Sequence, residues 1–300
     1  MNETLKRSLS GAVYITLLLA SILYSTESFF ILFGVFLIIA LYEFCNLVQM
    51  KSVLPIILGT LLYSFVTLVS HYATETTAFI NRAFQTQINL EINLEINIQK
   101  LDLALLAVTI VVSIKCILFL FYDSVQKVST SSKYLYLLGY ITLPFIFITK
   151  ISFGINDYNP KIIIGLFILI WTNDTFAYIV GKSMGKHKLF ERISPKKTIE
   201  GFLGGIAFAV FAGYLISKLY IEPKPEFSQK SILIWTFIAL IVGIMGTIGD
   251  LIESKFKRIA EVKDSGSIMP GHGGILDRLD SVIFVAPIIF LFYQILNYVS

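Results

Sequence analysis

The segment KDSGSIMPGHGGILDRLD, residues 263–280, places charged side chains and a histidine around a glycine-rich turn in an otherwise apolar chain. Asp277 and Asp280 stand three residues apart, a spacing that puts both carboxylates on one face of a helix. The glycines and Pro270 allow tight turns and a close approach of the backbone to a ligand. Paired carboxylates near lysines and exposed amides are the groups that a divalent metal and a phosphate chain require. The segment is therefore predicted to bind both.

The segment SPKKTIEG, residues 194–201, also has the composition of a phosphate-binding element. It offers hydroxyls at Ser194 and Thr198, a proline suited to the first turn of a helix, and the lysines Lys196 and Lys197. Amides at the start of a helix carry partial positive charge and would help these lysines to hold a polyphosphate. A basic loop that only fixes the orientation in the membrane is the alternative, and this segment leaves both open.

Two further carboxylates lie within or at the end of apolar segments. Asp174, in WTNDTFAYIVGKSMGKHK, is an intramembrane carboxylate and therefore a functional candidate, with a structural hydrogen bond between helices as the alternative. Asp250 and Ser254, in GDLIESKFKR, are four residues apart and share a helix face. Together with Asp277 and Asp280, Asp250 favours a metal site, because carboxylates that face one pocket repel unless they are neutralised. A structural network of ion pairs stays open.

The composition places this chemistry in a membrane. Hydrophobic residues make up 56% of the 300 residues and the mean hydropathy is +0.77, far above a soluble domain. Apolar runs of bilayer-spanning length predict an all-α, polytopic integral membrane protein with about nine transmembrane helices. The predicted spans are residues 9–25, 29–48, 53–72, 101–122, 134–149, 162–180, 199–220, 232–248 and 279–299.

The charge distribution predicts how these spans are oriented. Most of the 24 lysines and arginines fall in the loops that share a side with the N-terminus, which indicates that this side is cytosolic. We expect a multi-pass protein of the cytoplasmic membrane, with the active site in the cytosolic half of the C-terminal helices. Residues 1–150 are predicted to form about five spans with an external insertion near 73–100. Residues 151–300 are predicted to form a catalytic region of about four spans and two cytosolic catalytic loops.

Several smaller features have structural interpretations. The repeat INLEINLEINIQ, residues 88–99, alternates apolar and polar residues and favours a strand, interpreted as an external insertion that forms a hairpin edge or a self-association strand. Glu43 lies close enough to the surface to be unremarkable, and snorkelling is one explanation of Lys115. Cys45 and Cys116 fall in apolar spans and are predicted to be buried and structural.

A resemblance to a known family rests on three motifs in this order: SPKKTIEG, GDLIESKFKR and KDSGSIMPGHGGILDRLD. They resemble the signature of the phosphatidate cytidylyltransferase family, also called CDP-diacylglycerol synthases. The segment WTNDTFAYIVGKSMGKHK is also similar to that family. The resemblance is close over residues 171–280, whereas the N-terminal half matches only in hydropathy and in its short basic start.

The resemblance implies transfer of CMP from CTP to phosphatidic acid, giving CDP-diacylglycerol and pyrophosphate, with magnesium as cofactor and a second metal ion left open. Asp250 and Asp277 are expected to bind the metal. The residues expected to take part in catalysis are Asp174, Lys257, Arg258, Lys263 and Asp280. Those expected to bind substrate are Ser194, Lys196, Lys197, Thr198, Ser254, His272, Gly273 and Arg278, with His272 either contacting a phosphate oxygen or holding the turn.

Three other classes of protein are alternatives to this expectation. A CTP-dependent lipid-alcohol kinase would share the membrane and the nucleotide, but it would transfer the terminal phosphoryl group and release CDP. A secondary transporter would have paired half-repeats with broken helices, and no internal repeat is visible. A scaffolding membrane protein would leave the carboxylate and lysine clusters without a purpose. The expected partners are CTP, phosphatidic acid and the bilayer, with no nucleic acid, and a homodimer stays open.

Overall fold

The protein is a bundle of long helices, as the sequence predicts. The computed structural model describes residues 3–72, 90–122, 129–153, 158–221 and 229–299. Within these ranges, nine helices are long and apolar enough to cross a membrane. This finding confirms the all-α, polytopic fold class.

The first half of the chain supplies five of these spans. Its helices are α1 Glu3–Tyr24, α2 Thr26–Leu47, α3 Leu54–His71, α4 Leu90–Phe121, α5 Thr130–Tyr136 and α6 Leu143–Ile151. A π-helical turn, Leu137–Thr142, joins α5 to α6, so that the three pieces form one span. The side chains of Cys45 and Cys116 are buried here, as predicted.

The second half supplies four spans and a small hairpin. Its helices are α7 Pro160–Met184, α8 Ile199–Ile216, α9 Gln229–Ile259 and α10 Leu276–Val299, and α8 continues as a π-helical turn, Ser217–Ile221. Between α7 and α8 lie two antiparallel strands, β1 Lys188–Phe190 and β2 Ser194–Thr198. Helices α7 and α8 pack closely at Gly205. A Cβ atom on this residue would lie only 2.8 Å from the Asn173 carbonyl oxygen, so the contact depends on the glycine.

The segment that was expected to open α8 is instead a strand. Ser194–Thr198 pairs with β1, with Lys188 opposite Thr198, and α8 begins only at Ile199. Thr198 caps the helix, since its hydroxyl accepts a hydrogen bond from the Gly201 amide at 3.1 Å. Each strand of a two-stranded hairpin has one edge that pairs with no other strand. Proline is tolerated in such a strand because that edge requires no N–H donor. The prediction of a proline in the first helical turn was therefore wrong.

The repeat at residues 88–99 also differs from its prediction. Residues 90–99 belong to α4, so the prediction of a strand is wrong for them, while residues 73–89 lie outside the described ranges. A four-residue repeat returns its apolar residues to nearly the same helix face at each turn. Leucine, glutamate and glutamine are also good helix formers, and the segment runs directly into an apolar span.

Helix α9 extends eleven residues beyond the predicted end of its span at residue 248, to Ile259. Lys257 and Arg258 therefore project from a helix and not from a loop, and the buried residues Glu253 and Phe256 lie on the same last turns. The helix continues because its end still packs: the Phe256 ring contacts Phe44 and Phe119. Charged side chains on these turns are held rigidly as a result.

Candidate active site

A cavity of about 670 Å³ opens where the end of α7, the hairpin, the start of α8, the end of α9 and the start of α10 meet. This volume lies in the range of pockets that bind small ligands. Four carboxylates, Asp174, Asp250, Asp277 and Asp280, line it. The lysines that line it are Lys182, Lys188, Lys196 and Lys197. The cavity therefore combines residues from all the segments that the sequence singled out.

Asp250 and Lys197 form an ion pair across the cavity. The Lys197 Nζ lies 2.5 Å from the Asp250 Oδ2, and the Ser254 hydroxyl donates to the Asp250 Oδ1 at 3.1 Å. Both charged side chains remain about one-third exposed, 27% for the lysine and 33% for the aspartate. A pair this exposed is held weakly, because solvent screens the attraction. An entering anion can therefore pair with Lys197, and an entering cation can bind the Asp250 carboxylate.

Asp174 and Asp280 face the same cavity from α7 and α10. The Asp280 Oδ1 accepts a hydrogen bond from the Ser281 amide at 2.6 Å, and the Asn173 side-chain amide donates to the Asp174 Oδ1 at 3.3 Å. Both carboxylates lie near enough to Asp250 for their charges to repel. Three carboxylates from three helices thus line one cavity.

Asp277 is held by donors on both of its oxygens. Its Oδ1 accepts from the Lys257 Nζ at 2.7 Å, while its Oδ2 accepts from the Ser265 amide, the Ser265 hydroxyl and the Gly274 amide at 2.8, 2.8 and 2.7 Å. Lys257 in turn lies 2.6 Å from the buried Glu253. These contacts fasten the glycine-rich turn to α9 and α10. The prediction that Asp277 binds a metal stays a prediction, and an ion bound there would share the carboxylate with these donors.

The turn itself needs glycine at two positions. Gly271 and Gly273 have φ angles of +79° and +90°, in the region that side chains rarely adopt. A Cβ atom at Gly273 would also lie 2.5 Å from the Asp277 Oδ2. The absence of a side chain at Gly273 lets the turn close over the Asp277 carboxylate, and the expected contact of Gly273 with substrate stays a prediction.

His272 lies on the outer side of this turn, against α1. Its Nδ1 is 2.7 Å from the Ser10 hydroxyl, and the Arg278 Nη2 donates to its carbonyl oxygen at 2.8 Å. Burial, with the nearby charges of Arg278 and Arg7, lowers the pKa of the imidazole and favours its neutral form. Of the two roles that the sequence left open for His272, these contacts favour holding the turn.

The cavity wall includes some of the predicted site residues and not others. Lys196 and Thr198 line it, as do the four aspartates. Arg258 instead donates from its Nε to the Ile193 carbonyl oxygen at 3.2 Å, which ties the hairpin to α9. The predicted residues that are not part of the wall are Ser194, Ser254, Lys257, Arg258, Lys263, His272, Gly273 and Arg278.

Glu43 is a residue whose importance the sequence reasoning missed. It is only 3% exposed, and its carboxylate accepts from the Ile275 amide at 3.1 Å, the Leu276 amide at 2.9 Å and the Ser265 hydroxyl at 3.3 Å. It therefore caps α10 from a distant helix and anchors the same turn that Asp277 anchors. A carboxylate in an apolar span was the available signal, but its position near the end of the span was taken as sufficient explanation. Lys182 and Lys188, which also line the cavity, were not among the predicted site residues.

Replacing Glu43 by Gln is expected to lower catalytic efficiency by at least about tenfold, because a glutamine amide group presents a donor where backbone amides need acceptors. The matched control is Glu27→Gln, which changes an exposed carboxylate on the same helix. Steady-state rates and thermal unfolding in detergent are the measurements. Equal rates for both variants would show that Glu43 does not position the turn.

The described residues contain no group of three or more histidine, cysteine or acidic side chains already arranged to hold a metal ion. The donor set nevertheless suits magnesium, which is commonly bound by one or two carboxylates together with substrate phosphates. Asp250, Asp174 and Asp280 provide such carboxylates at the cavity.

Within the described residues, nine helices are long and apolar enough to cross a membrane and carry a cavity of carboxylates and lysines, the arrangement of a polytopic membrane protein with a site for an anionic ligand. The chain belongs to the cytidylyltransferase family, whose sequence profile matches residues 5–296. The resemblance drawn from the three motifs is thereby confirmed, and it extends over the N-terminal half as well.

Curated relatives agree with this family. The chain is 32% identical over 293 residues, 97% of both proteins, to a phosphatidate cytidylyltransferase of Bacillus subtilis (strain 168). It is 45% identical over 129 residues to one of Staphylococcus epidermidis, which covers 43% of this chain and 47% of that protein. It is 48% identical over 125 residues to one of Staphylococcus aureus (strain COL), covering 41% of this chain and 45% of that protein.

Proposed function

We propose that this chain is a phosphatidate cytidylyltransferase that transfers CMP from CTP to phosphatidate, giving CDP-diacylglycerol and pyrophosphate. The observation that carries the proposal is the cavity in which Lys196, Lys197 and Asp250 meet, within a chain whose similarity to a phosphatidate cytidylyltransferase runs over nearly its whole length. Lysines at a membrane-embedded cavity suit two anionic substrates, a nucleoside triphosphate and a lipid phosphate.

The reaction needs little help with protons. An oxygen of the phosphatidate phosphate, already anionic near neutral pH, forms a bond to the α-phosphorus of CTP. The bond from that phosphorus to the bridging oxygen of the β-phosphate breaks, and the electron pair leaves with pyrophosphate. The protein must therefore bring two anions together and stabilise the charge that develops on the leaving group.

The cavity lysines are suited to this task. Lys196 is exposed at its wall, and Lys197 is held there by its pair with Asp250. Arrival of a triphosphate gives both ammonium groups stronger, charge-assisted partners. Lys182 and Lys188 line the same space and would offer further ammonium groups to phosphate oxygens.

The carboxylates are suited to magnesium. Asp250 would hold the ion, with Asp280 or Asp174 as a further ligand, and a bound ion would supply neutralisation of the phosphate charge. Asp277 and Lys257 would keep the turn and α10 in register with these ligands.

The proposal also includes an orientation in the cytoplasmic membrane, with the N-terminus and the cavity on the cytosolic side. The N-terminal end of α1 lies beside the glycine-rich turn, since Ser10 contacts Pro270 and His272. That arrangement is consistent with the excess of cations on this side, and CTP is a cytosolic substrate.

Cysteine labelling tests this orientation. A cysteine at Ser183 or Ser267 is expected to be shielded from a membrane-impermeant thiol reagent in intact cells, and one at position 89, outside the described residues, is expected to react. The two native cysteines are buried and give a low background. The reverse labelling pattern would contradict the orientation.

The activity is tested with the purified protein in detergent, supplied with phosphatidate, labelled CTP and magnesium. We expect lipid product and pyrophosphate to form in equal amounts, and both to require phosphatidate and a divalent cation. Formation of neither product by folded protein would overturn the proposal.

A further inference from the structure

A second cavity, of about 370 Å³, lies beside α1 and is separate from the active-site cavity. Leu9, Val13 and Leu17 of α1 form one wall, while Phe36 of α2 and residues 268–270 of the glycine-rich turn form the other. The three α1 side chains are about half exposed, at 56%, 51% and 52%. Because they lie in a membrane span, the cavity opens sideways towards the bilayer.

The shape of this cavity matches a lipid chain. Its α1 residues run from Lys6 to Leu17, eleven positions or roughly 16 Å along the helix axis. A helix that crosses the membrane has the same direction as the acyl chains of one leaflet. The wall is apolar for most of that length, with Lys6 at the end nearest the turn.

Cations gather at that end. Arg7 packs against Gly271, where a Cβ atom would lie 2.8 Å from its Cγ, and Arg278 donates to the His272 carbonyl oxygen at 2.8 Å. With Lys6 they place three positive charges around the turn that closes the cavity. An apolar slot with a cationic end complements an anionic lipid.

Tyr14 places a buried hydroxyl in the wall of this cavity. It lines the apolar cavity and is 8% exposed, and its hydroxyl finds no hydrogen-bond partner within the described ranges. Arg278 and Asp280 lie close enough for their charges to act on that hydroxyl, and Asp280 lines the active-site cavity. A buried hydroxyl without a partner is costly, so a ligand that accepts its hydrogen bond would bind favourably.

We propose that the cavity beside α1 holds an acyl chain of phosphatidate, and that the Tyr14 hydroxyl donates to the lipid phosphate as it reaches the active site. The proposal rests on the function proposed above and adds where the lipid substrate binds. The cationic end selects an anionic lipid, and the apolar wall selects a long chain.

Filling the cavity tests this. Val13→Trp is expected to raise the KM for long-chain phosphatidate at least about tenfold, with the KM for CTP and the rate with a six-carbon phosphatidate little changed. Ile15→Trp is the control, since Ile15 is exposed on the same helix but is not part of the cavity wall. Tyr14→Phe, which keeps the ring, is expected to raise the same KM. Equal kinetics for Val13→Trp and the control, with wild-type protein active, would overturn the site.

A binding measurement separates this site from the activity. Phosphatidate with a photoreactive group in one acyl chain is expected to label α1, and unlabelled phosphatidate is expected to compete while phosphatidylcholine does not. Equal competition by phosphatidylcholine would identify an ordinary surrounding lipid and overturn the proposal. Specific labelling of a protein that forms no CDP-diacylglycerol would retain the site and contradict the proposed function.

Discussion

Asp250→Asn is expected to reduce turnover by at least about a hundredfold while leaving the protein folded and inserted. The substitution keeps the size of the side chain but removes the charge that pairs with Lys197 at 2.5 Å and that would hold magnesium. Residual activity in this variant should require a higher magnesium concentration than the wild type. The measurement is the initial rate against magnesium concentration, with Glu191→Gln as control because Glu191 is an exposed carboxylate in the hairpin loop.

Asp277→Asn in the same assay separates two roles for Asp277. If Asp277 binds the metal, its variant should show the same raised magnesium requirement as Asp250→Asn. If Asp277 only holds the turn, the variant should lose activity that added magnesium does not restore, because the contacts of Asp277 are with Lys257, Ser265 and Gly274. Near-normal rates for Asp250→Asn would remove Asp250 from the metal site.

Replacing both Lys196 and Lys197 by Gln is expected to lower catalytic efficiency towards CTP by well over tenfold. Each lysine would lose a charge-assisted contact worth roughly 1.5 to 3 kcal/mol. The change should appear with CTP as the varied substrate, since both side chains line the active-site cavity.

The control replaces both Lys51 and Lys186 by Gln, since these exposed lysines are on the same predicted side and are not part of the cavity wall. This control removes the same number of positive charges from the side predicted to be cytosolic. If the first pair served only orientation, both double variants would behave alike in the correctly inserted fraction, and the phosphate-binding role would be wrong.

The number and order of the helices were predictable because hydropathy acts over some twenty residues at a time. The local structure of short segments was harder to predict. Ser194–Thr198 has the residues of a helix start, yet pairing with β1 and the cap by Thr198 delay α8 to Ile199. The repeat at residues 90–99 fits two periodicities, and its continuity with an apolar helix decided between them.

The candidate site was predictable where several charged and polar residues lie close together in the sequence. Asp174, Lys197 and Asp250 were identified from sequence, and the fold brings them to one cavity. Glu43 could not be assigned, because its partners are more than two hundred residues away and two of the three are backbone amides, which carry no sequence signature. The contact between the Ser10 and His272 side chains was hidden because the two residues lie 262 positions apart in the sequence.

The position of the transferred phosphorus in CTP tests the central claim most directly. Purified protein is supplied with phosphatidate and magnesium, and with CTP labelled at either the α- or the γ-phosphorus. Cytidylyl transfer predicts that the α-label enters the lipid and that the γ-label is released as pyrophosphate. Entry of the γ-label into a lipid, with release of CDP, would identify a lipid kinase and contradict the account.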